Sequence, residues 1–221
     1  MNFRHGNTDD ESPWSAAEKP VAAFCPAATY LGSISERTRA TQGRFSFFQS
    51  RSLRHMDGEP EPSREVTRVP SEADIVSLAR ELNRLGVAYV VVDGFAINRL
   101  GFVRATEDID LLIARDRANQ VLVKRALEIL PDRAIRELGD EDIAEWVVVR
   151  VNDDITVDLM TEACGVRYED AANGIEMETI DGVSIPFAGA ELMLRMKQGT
   201  RDKDAADRSF LQQLIRTKET K

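Results

Sequence analysis

Histidine and cysteine are scarce in this sequence of 221 residues. There are two histidines, His5 and His55, and two cysteines, Cys25 and Cys164. Two cysteines so far apart predict neither a disulfide framework nor a cysteine-based zinc cluster, and they fit a reducing cytoplasm. Because both histidines lie in the first 70 residues, chemistry located after residue 70 cannot use a serine-histidine-aspartate triad, a cysteine-histidine pair or a histidine zinc site.

Long apolar runs are absent as well. No segment approaches the roughly 18 to 20 consecutive apolar residues that a membrane-spanning helix requires, so we expect a soluble, cytoplasmic protein without a membrane partner. The formal net charge is −9, and the first 70 residues carry equal numbers of acidic and basic side chains. The excess negative charge therefore falls on residues 71–221, which disfavours nucleic-acid binding that depends mainly on phosphate neutralisation.

The composition changes near residue 70. Residues 1–70 contain six of the eight prolines and eight of the twelve serines, without a sustained apolar period. We expect them to form a disordered leader, and residues 71–221 to form one domain. Met56 precedes an acidic, proline-containing stretch that runs into the first helix, so Met56 is an alternative start of the chain.

The apolar spacing after Pro70 predicts an α+β domain with a small mixed sheet flanked by helices. Ser71 and Asp74 resemble a capping box, and the helix that follows them is expected to end at Gly86. Strands are predicted at 88–92, 108–114, 146–151, 155–160, 175–180 and 183–185. Further helices are predicted at 95–100, 117–130, 191–198 and 203–216. The residues expected on the inner side of helix 117–130 are Val121, Leu122, Ala126, Ile129 and Leu130.

Three aspartates are the candidate catalytic residues and metal ligands. Asp108 and Asp110 alternate along one predicted strand and therefore point to one face. Asp158 lies on a later strand and joins them if the two strands are neighbours. Three converging carboxylates repel one another unless a divalent cation neutralises them, and oxygen ligands of this kind suit Mg²⁺ or Mn²⁺.

An aspartate pair of this spacing is a weak motif by itself. Solvated carboxylates at a strand edge are the simplest alternative, and they predict no metal binding. An EF-hand would need further oxygen ligands and a glycine in a twelve-residue frame, and neither follows Asp108. A phosphatase of the haloacid-dehalogenase type has the pair at the end of its strand, whereas here the pair opens the strand.

The sequence around the pair resembles the polymerase-β-like nucleotidyltransferase superfamily. The segments that carry the resemblance are Val90–Ala96, Arg99–Gly101 and Arg104–Ile113. The family pattern is an apolar strand, a Gly-Gly or Gly-Ser turn at a helix start, a spacer, and Asp-apolar-Asp-apolar on the next strand. Thirteen residues separate the turn from Asp108, which is within the family's usual spacing. The resemblance implies an enzyme that moves a nucleoside monophosphate from a triphosphate to an acceptor hydroxyl on a tRNA end, a protein or a small molecule.

A second stretch resembles one branch of that superfamily. Glu191–Lys197 followed by Arg201–Asp207 is similar to the closing helices of the abortive-infection and toxin–antitoxin nucleotidyltransferases. The branch implies a lysine facing the triphosphate, here Lys197, and a cognate toxin or antitoxin as partner; ordinary surface charge is the alternative. A turn without bulky side chains lets backbone N–H groups meet phosphate oxygens. The residues implied to bind the nucleotide are Gly94, Phe95, Arg104, Thr106, Lys197 and Arg201.

One residue departs from the family pattern. Asp93 stands where the family usually has its first glycine. An aspartate repels a triphosphate unless it binds metal or turns away, although aspartate tolerates left-handed backbone angles, so the turn can survive. This departure favours a second hypothesis, a catalytically silent protein of the same fold that binds a nucleotide or a protein partner.

Overall fold

The structure is a computed structural model that describes residues 45–46, 67–139 and 141–220. Most of the predicted leader, residues 1–70, lies outside these ranges, as does the alternative start at Met56. Two parts of it are described: residues 45–46 form a short strand, and Arg68 bridges in parallel to Ile155. Among the described residues, no helix combines the length and the apolar character that a membrane crossing demands.

The described residues form the α+β domain that the sequence predicts. The strands are β1 (Phe45–Ser46), β2 (Tyr89–Val92), β3 (Asp108–Ile113), β4 (Val148–Asn152), β5 (Thr156–Met160), β6 (Glu162–Ala163), β7 (Val166–Arg167), β8 (Ile175–Ile180) and β9 (Val183–Ala188). The helices are α1 (Glu72–Leu85), α2 (Asp93–Arg99), α3 (Arg117–Leu127), α4 (Asp142–Glu145), α5 (Tyr168–Ala171), α6 (Ala190–Met196) and α7 (Asp202–Glu219). Short 3-10 helices lie at Ala134–Glu137 and Ala172–Gly174. The elements without a sequence prediction, β1, β6, β7, α4, α5 and the 3-10 helices, are four residues long or shorter.

Seven strands form one mixed sheet in the order β1-β4-β5-β3-β2-β9-β8, and β6 pairs with β7 separately. β3 lies in the middle, parallel to β5 and antiparallel to β2. β9 is parallel to β2, and β4–β5 and β8–β9 are the two predicted hairpins. β3 therefore has a neighbour on both sides, and all of its residues except Asp108 are buried.

Helix α1 forms as its sequence predicts. The backbone N–H and the hydroxyl of Ser71 donate to the Asp74 carboxylate at 2.7 and 2.6 Å, which fixes the first turn. Gly86 ends the helix in the left-handed region with φ 73°, a conformation that glycine adopts without a Cβ clash. Five apolar residues of α1 are buried in the core, where the helix packs against α3 and β9: Ile75, Val76, Leu78, Ala79 and Leu82.

The inner face of α3 differs from the prediction. Val121, expected on that face, is 49% exposed, and Ile129, which is 44% exposed, lies beyond the helix because α3 ends at Leu127 and not at residue 130. The helix is rotated so that Asn119 is buried, where its amide donates to the carbonyls of Ala88 and Ala114 and its oxygen accepts from the Ala88 N–H. These three hydrogen bonds satisfy a buried polar side chain and fix the rotation, which a pattern of apolar residues alone does not reveal.

Candidate metal site and its ion-pair cluster

Two parallel strands bring the three predicted aspartates together. β3 and β5 are in register with Asp110 opposite Asp158 and Asp108 opposite Thr156. One carboxylate oxygen from each of Asp108, Asp110 and Asp158 lies within 4.8 Å of the others. The convergence that side-chain alternation predicted is therefore present, and we call these three residues the acidic triad.

The acidic triad is poorly hydrated. Asp110 and Asp158 are each 6% exposed, and Asp108 is partly buried. Burial, followed by the negative charge of Asp158, raises the pKa of Asp108. Burial and the charges of Asp93, Asp108 and Asp158 raise the pKa of Asp110 well above its ordinary value. Three negative charges at this site are therefore unfavourable, and a bound cation would stabilise the ionised carboxylates.

One cation of the chain already contacts the acidic triad. Arg150 lies on β4 directly opposite Asp158 on β5. Its Nε and Nη2 donate to the two oxygens of Asp158 at 2.8 and 2.6 Å, and Nη2 also donates to Asp108 at 3.0 Å. The sequence analysis did not single out Arg150, although alternation places it on the strand face opposite Val149 and Val151.

The turn that leads into α2 uses aspartate in place of glycine. Asp93 has φ 47°, so it adopts the left-handed conformation that aspartate was expected to tolerate. Its carboxylate turns towards two cations, the Lys197 ammonium at 2.6 Å and the Arg104 guanidinium at 2.5 Å. Burial would raise the pKa of Asp93, but the positive charges of Lys197, Lys203 and Arg104 outweigh it and lower that pKa.

Lys197, the predicted triphosphate ligand, is buried among carboxylates. Its side chain is 4% exposed, and its Nζ lies 2.6 Å from Asp93, 3.1 Å from Asp207 and 3.4 Å from Asp204. Burial alone would lower the pKa of Lys197, but the three carboxylates raise it. In this structure, therefore, the lysine joins the start of α2 to the start of α7.

The two predicted helper arginines belong to the same group of charges. Arg201 donates to both oxygens of Asp204 at 2.8 and 3.0 Å and stays half exposed. Arg104 reaches Asp207 as well as Asp93, and its Nε faces a buried oxygen of Asp207 at 3.3 Å without hydrogen-bond geometry. Three acids balance three bases in what we call the α7 ion cluster: Asp93, Arg104, Lys197, Arg201, Asp204 and Asp207.

Gly94 is required by close packing. A Cβ at Gly94 would lie 2.2 Å from the Oγ1 and 2.5 Å from the Cβ of Thr106. The Thr106 hydroxyl donates to the Asp108 carbonyl at 3.1 Å, so it also ties the start of β3 to this contact. Phe95, the next residue of α2, packs partly buried against the core.

The predicted site residues thus fall into two adjoining groups, the acidic triad and the α7 ion cluster, with Gly94 and Thr106 beside them.

Lys203 was missed by the sequence analysis. It is exposed in the first turn of α7, and its charge acts on both Asp93 and Asp108. Only its place two residues after Arg201 could have suggested it.

The donor set of the acidic triad fits a hard divalent cation. It offers carboxylate oxygens only, which is the chemistry that Mg²⁺ and Mn²⁺ prefer. Arg150 competes for Asp158 and for one oxygen of Asp108. Asp110 has no ion pair or side-chain hydrogen bond among residues 67–139 and 141–220.

Comparison with protein-family models gave no match, and comparison with curated proteins gave none either. Among solved structures, the chain is similar to an antigenic nucleotidyltransferase-like protein from Paracoccidioides brasiliensis. The two share 21% sequence identity with a TM-score of 0.41, over 62% of this chain and 73% of the other.

Proposed function

We propose that this protein is a metal-dependent nucleotidyltransferase, which transfers a nucleoside monophosphate from a nucleoside triphosphate to an acceptor hydroxyl. The observation that carries the proposal is the convergence of Asp108, Asp110 and Asp158 from two parallel strands. The turn between β2 and α2, with Asp93 and Gly94, adjoins them because Val92 is paired with Asp110. This is the order of elements that the family pattern requires.

The acidic triad would hold Mg²⁺ or Mn²⁺. When bound, such ions activate an attacking hydroxyl and stabilise a leaving pyrophosphate, which removes the need for a histidine base. A bound cation would stabilise the ionised form of Asp110 most, because Asp110 is buried beside other carboxylates and has no basic partner in the described part of the chain. Asp108 is the one residue of β3 that is not fully buried, so it is the member of the acidic triad that solvent reaches most easily.

The exposure of the basic side chains indicates which of them can bind the phosphates of a nucleotide. Arg201 is half exposed and Lys203 is exposed, so both can contact a triphosphate from the protein surface. Lys197 and Arg104 would first have to release Asp93, to which both are hydrogen bonded. The backbone N–H groups of Gly94 and Phe95 and the hydroxyl of Thr106 complete the proposed nucleotide site.

A second candidate is a catalytically silent protein of the same fold that binds a nucleotide or a partner, such as the other component of a toxin–antitoxin pair. Two observations favour it. Arg150 engages Asp158 and Asp108 where an enzyme would place metal, and Asp93 engages the lysine that was expected to face the triphosphate. Asp108→Asn distinguishes the two: an enzyme loses its activity, whereas a silent, metal-free protein keeps its function and becomes more stable as carboxylate repulsion is relieved.

The deciding experiment follows label from each of the four α-labelled nucleoside triphosphates, with Mg²⁺ or Mn²⁺, into total RNA, host protein extract and the protein itself. We expect label with the wild type and none with Asp108→Ala/Asp110→Ala. A variant with two exposed carboxylates removed, Glu169→Ala/Glu219→Ala, serves as the matched control and should retain activity. Absence of label, together with absence of metal-dependent nucleotide binding, would exclude the enzyme.

A further inference from the structure

We propose that Arg150 is an internal cation that occupies the Asp158 side of the acidic triad. The native chain would then bind one divalent ion, through Asp108 and Asp110. If all three carboxylates were available, they would favour two ions. This inference rests on the proposed function and specifies how the metal site is controlled.

The position of Arg150 is fixed by strand register. Arg150 and Asp158 are cross-strand partners in the β4–β5 hairpin, so their side chains leave the same face of the sheet. The guanidinium bonds both oxygens of Asp158 at 2.6 and 2.8 Å, a paired geometry that is among the stronger side-chain interactions. The Asp158 side chain is only 9% exposed, which limits screening of the pair by water.

The oxygens that remain decide where an ion can bind. Both Asp158 oxygens and one oxygen of Asp108 accept hydrogen bonds from Arg150. The second oxygen of Asp108 and both oxygens of Asp110 have no basic partner among the described residues. A cation that enters the site therefore finds free oxygen ligands on Asp108 and Asp110, whereas the Asp158 carboxylate is already bound to Arg150.

The charges lead to the same conclusion. The acidic triad carries three formal negative charges, and Arg150 reduces them to two, which one divalent ion neutralises. The charge of Asp93, which also acts on Asp110, is shared with Lys197 and Arg104, with which Asp93 forms ion pairs. Removal of Arg150 would leave an uncompensated charge after the first ion had bound, and this charge favours a second ion.

The consequence concerns transfer more than nucleotide binding. Two-ion chemistry uses one ion for the leaving oxygens and another for the attacking oxygen. With Arg150 in place, Asp108 and Asp110 remain available for the ion that binds the nucleotide. Asp158 is engaged by Arg150 and is not available for a second ion. Arg150 would thus restrain transfer while leaving nucleotide binding intact, until a substrate or partner moves its side chain away.

The test is a titration of the full chain with Mn²⁺, in which the free ion is followed by its electron paramagnetic resonance signal. We expect one ion per chain for the wild type and two for Arg150→Met, with the first bound about tenfold more tightly or better. Arg136→Met removes an exposed arginine that pairs with Glu128 and should titrate as the wild type does. Equal stoichiometry and affinity in wild type and Arg150→Met would overturn the inference and leave the proposed function standing, whereas no binding by either protein would overturn both.

A second measurement does not depend on the folding of the single variant Arg150→Met. Arg150→Met/Asp158→Asn removes both members of the pair and leaves the net charge of the site unchanged, so it should change Mn²⁺ affinity by less than about threefold, whereas Asp110→Asn should weaken it by about tenfold or more. Similar losses for the two variants would show that Asp158 is an ordinary ligand, and the inference would be wrong.

Discussion

Asp93 and Lys197 form an ion pair of 2.6 Å although 104 residues separate them in the chain. Asp93, which stands where the sequence resemblance predicts a glycine, is thus held by Lys197, the residue predicted to bind triphosphate. Each charge satisfies the other inside the protein, so a nucleotide that uses Lys197 must first displace Asp93. The pair also joins the end of α6 to the start of α2, which makes it a structural link as well as a candidate site.

Lys197→Met should destabilise the protein by about 3 kcal/mol or more, because it leaves Asp93, Asp204 and Asp207 without their shared cation in a buried setting. The free energy of unfolding in urea measures this. Lys218→Met is the matched control, since Lys218 is half exposed and should change stability by no more than about 0.5 kcal/mol. A loss below about 1 kcal/mol for Lys197→Met would show that the α7 ion cluster contributes little to stability.

Gly94→Ala should cost about 1–3 kcal/mol, because the added Cβ would lie 2.2 Å from the Thr106 hydroxyl oxygen and the backbone or the threonine must shift. Thr106→Gly in the same chain should recover part of the loss, as unfolding of the single and double variants would show. If Gly94→Ala weakened nucleotide binding without lowering stability, the glycine would serve the ligand rather than the packing.

Asp74→Asn should lower stability by about 1 kcal/mol at pH 7 and by less as the pH falls. Hydrogen bonds from Arg68 and Ser71 lower the pKa of Asp74 in the folded protein, against the opposing effect of partial burial. A carboxyl group with a lowered folded pKa contributes stability above its unfolded pKa and loses it as the pH falls through the folded value. Urea unfolding of both proteins at pH 7 and pH 3 would test this, and a difference that is independent of pH would contradict it.

Asp110→Asn should reverse its effect on stability when metal is added. Without metal, the variant should unfold at a higher temperature than the wild type, because it removes one of three buried charges that repel one another. In Mn²⁺ at about one hundred times its dissociation constant, the wild type should gain about 2.7 kcal/mol and the variant much less. Thermal unfolding with and without a chelator measures both. An order that stays the same in the two conditions would argue against a metal site at the acidic triad.

The larger elements and the acidic triad follow from local pattern. Period-two alternation assigned Asp108 and Asp110 to one face of β3, and Ser71 and Gly86 marked the ends of α1. Arg150 was also within reach of the sequence: a hairpin centred on Asp154 places it opposite Asp158, four residues away on either side. It was missed because the metal site was predicted from acidic residues alone, and basic residues were predicted only at Arg104, Lys197 and Arg201.

Other features depend on contacts between distant parts of the chain. The burial of Lys197 requires α2, α6 and α7 to meet, and no local pattern distinguishes a lysine among three acids from one in solvent. The rotation of α3 is fixed by the hydrogen bonds of Asn119 to the segments around Ala88 and Ala114. Sequence periodicity treats such a residue as outward facing, so it placed Val121 inside. It also placed Ile129 inside, because it continued the helix past its observed end at Leu127.

The α7 ion cluster has a consequence for synthesis on the ribosome. The three aspartates of β3 and β5 emerge long before α7, which supplies Asp204 and Asp207. Until α7 emerges, Lys197 lacks two of the three carboxylates that hold it against Asp93. A nascent chain would therefore bring its candidate metal ligands together early and complete the neighbouring turn late, which delays the proposed nucleotide site until most of the domain has left the exit tunnel.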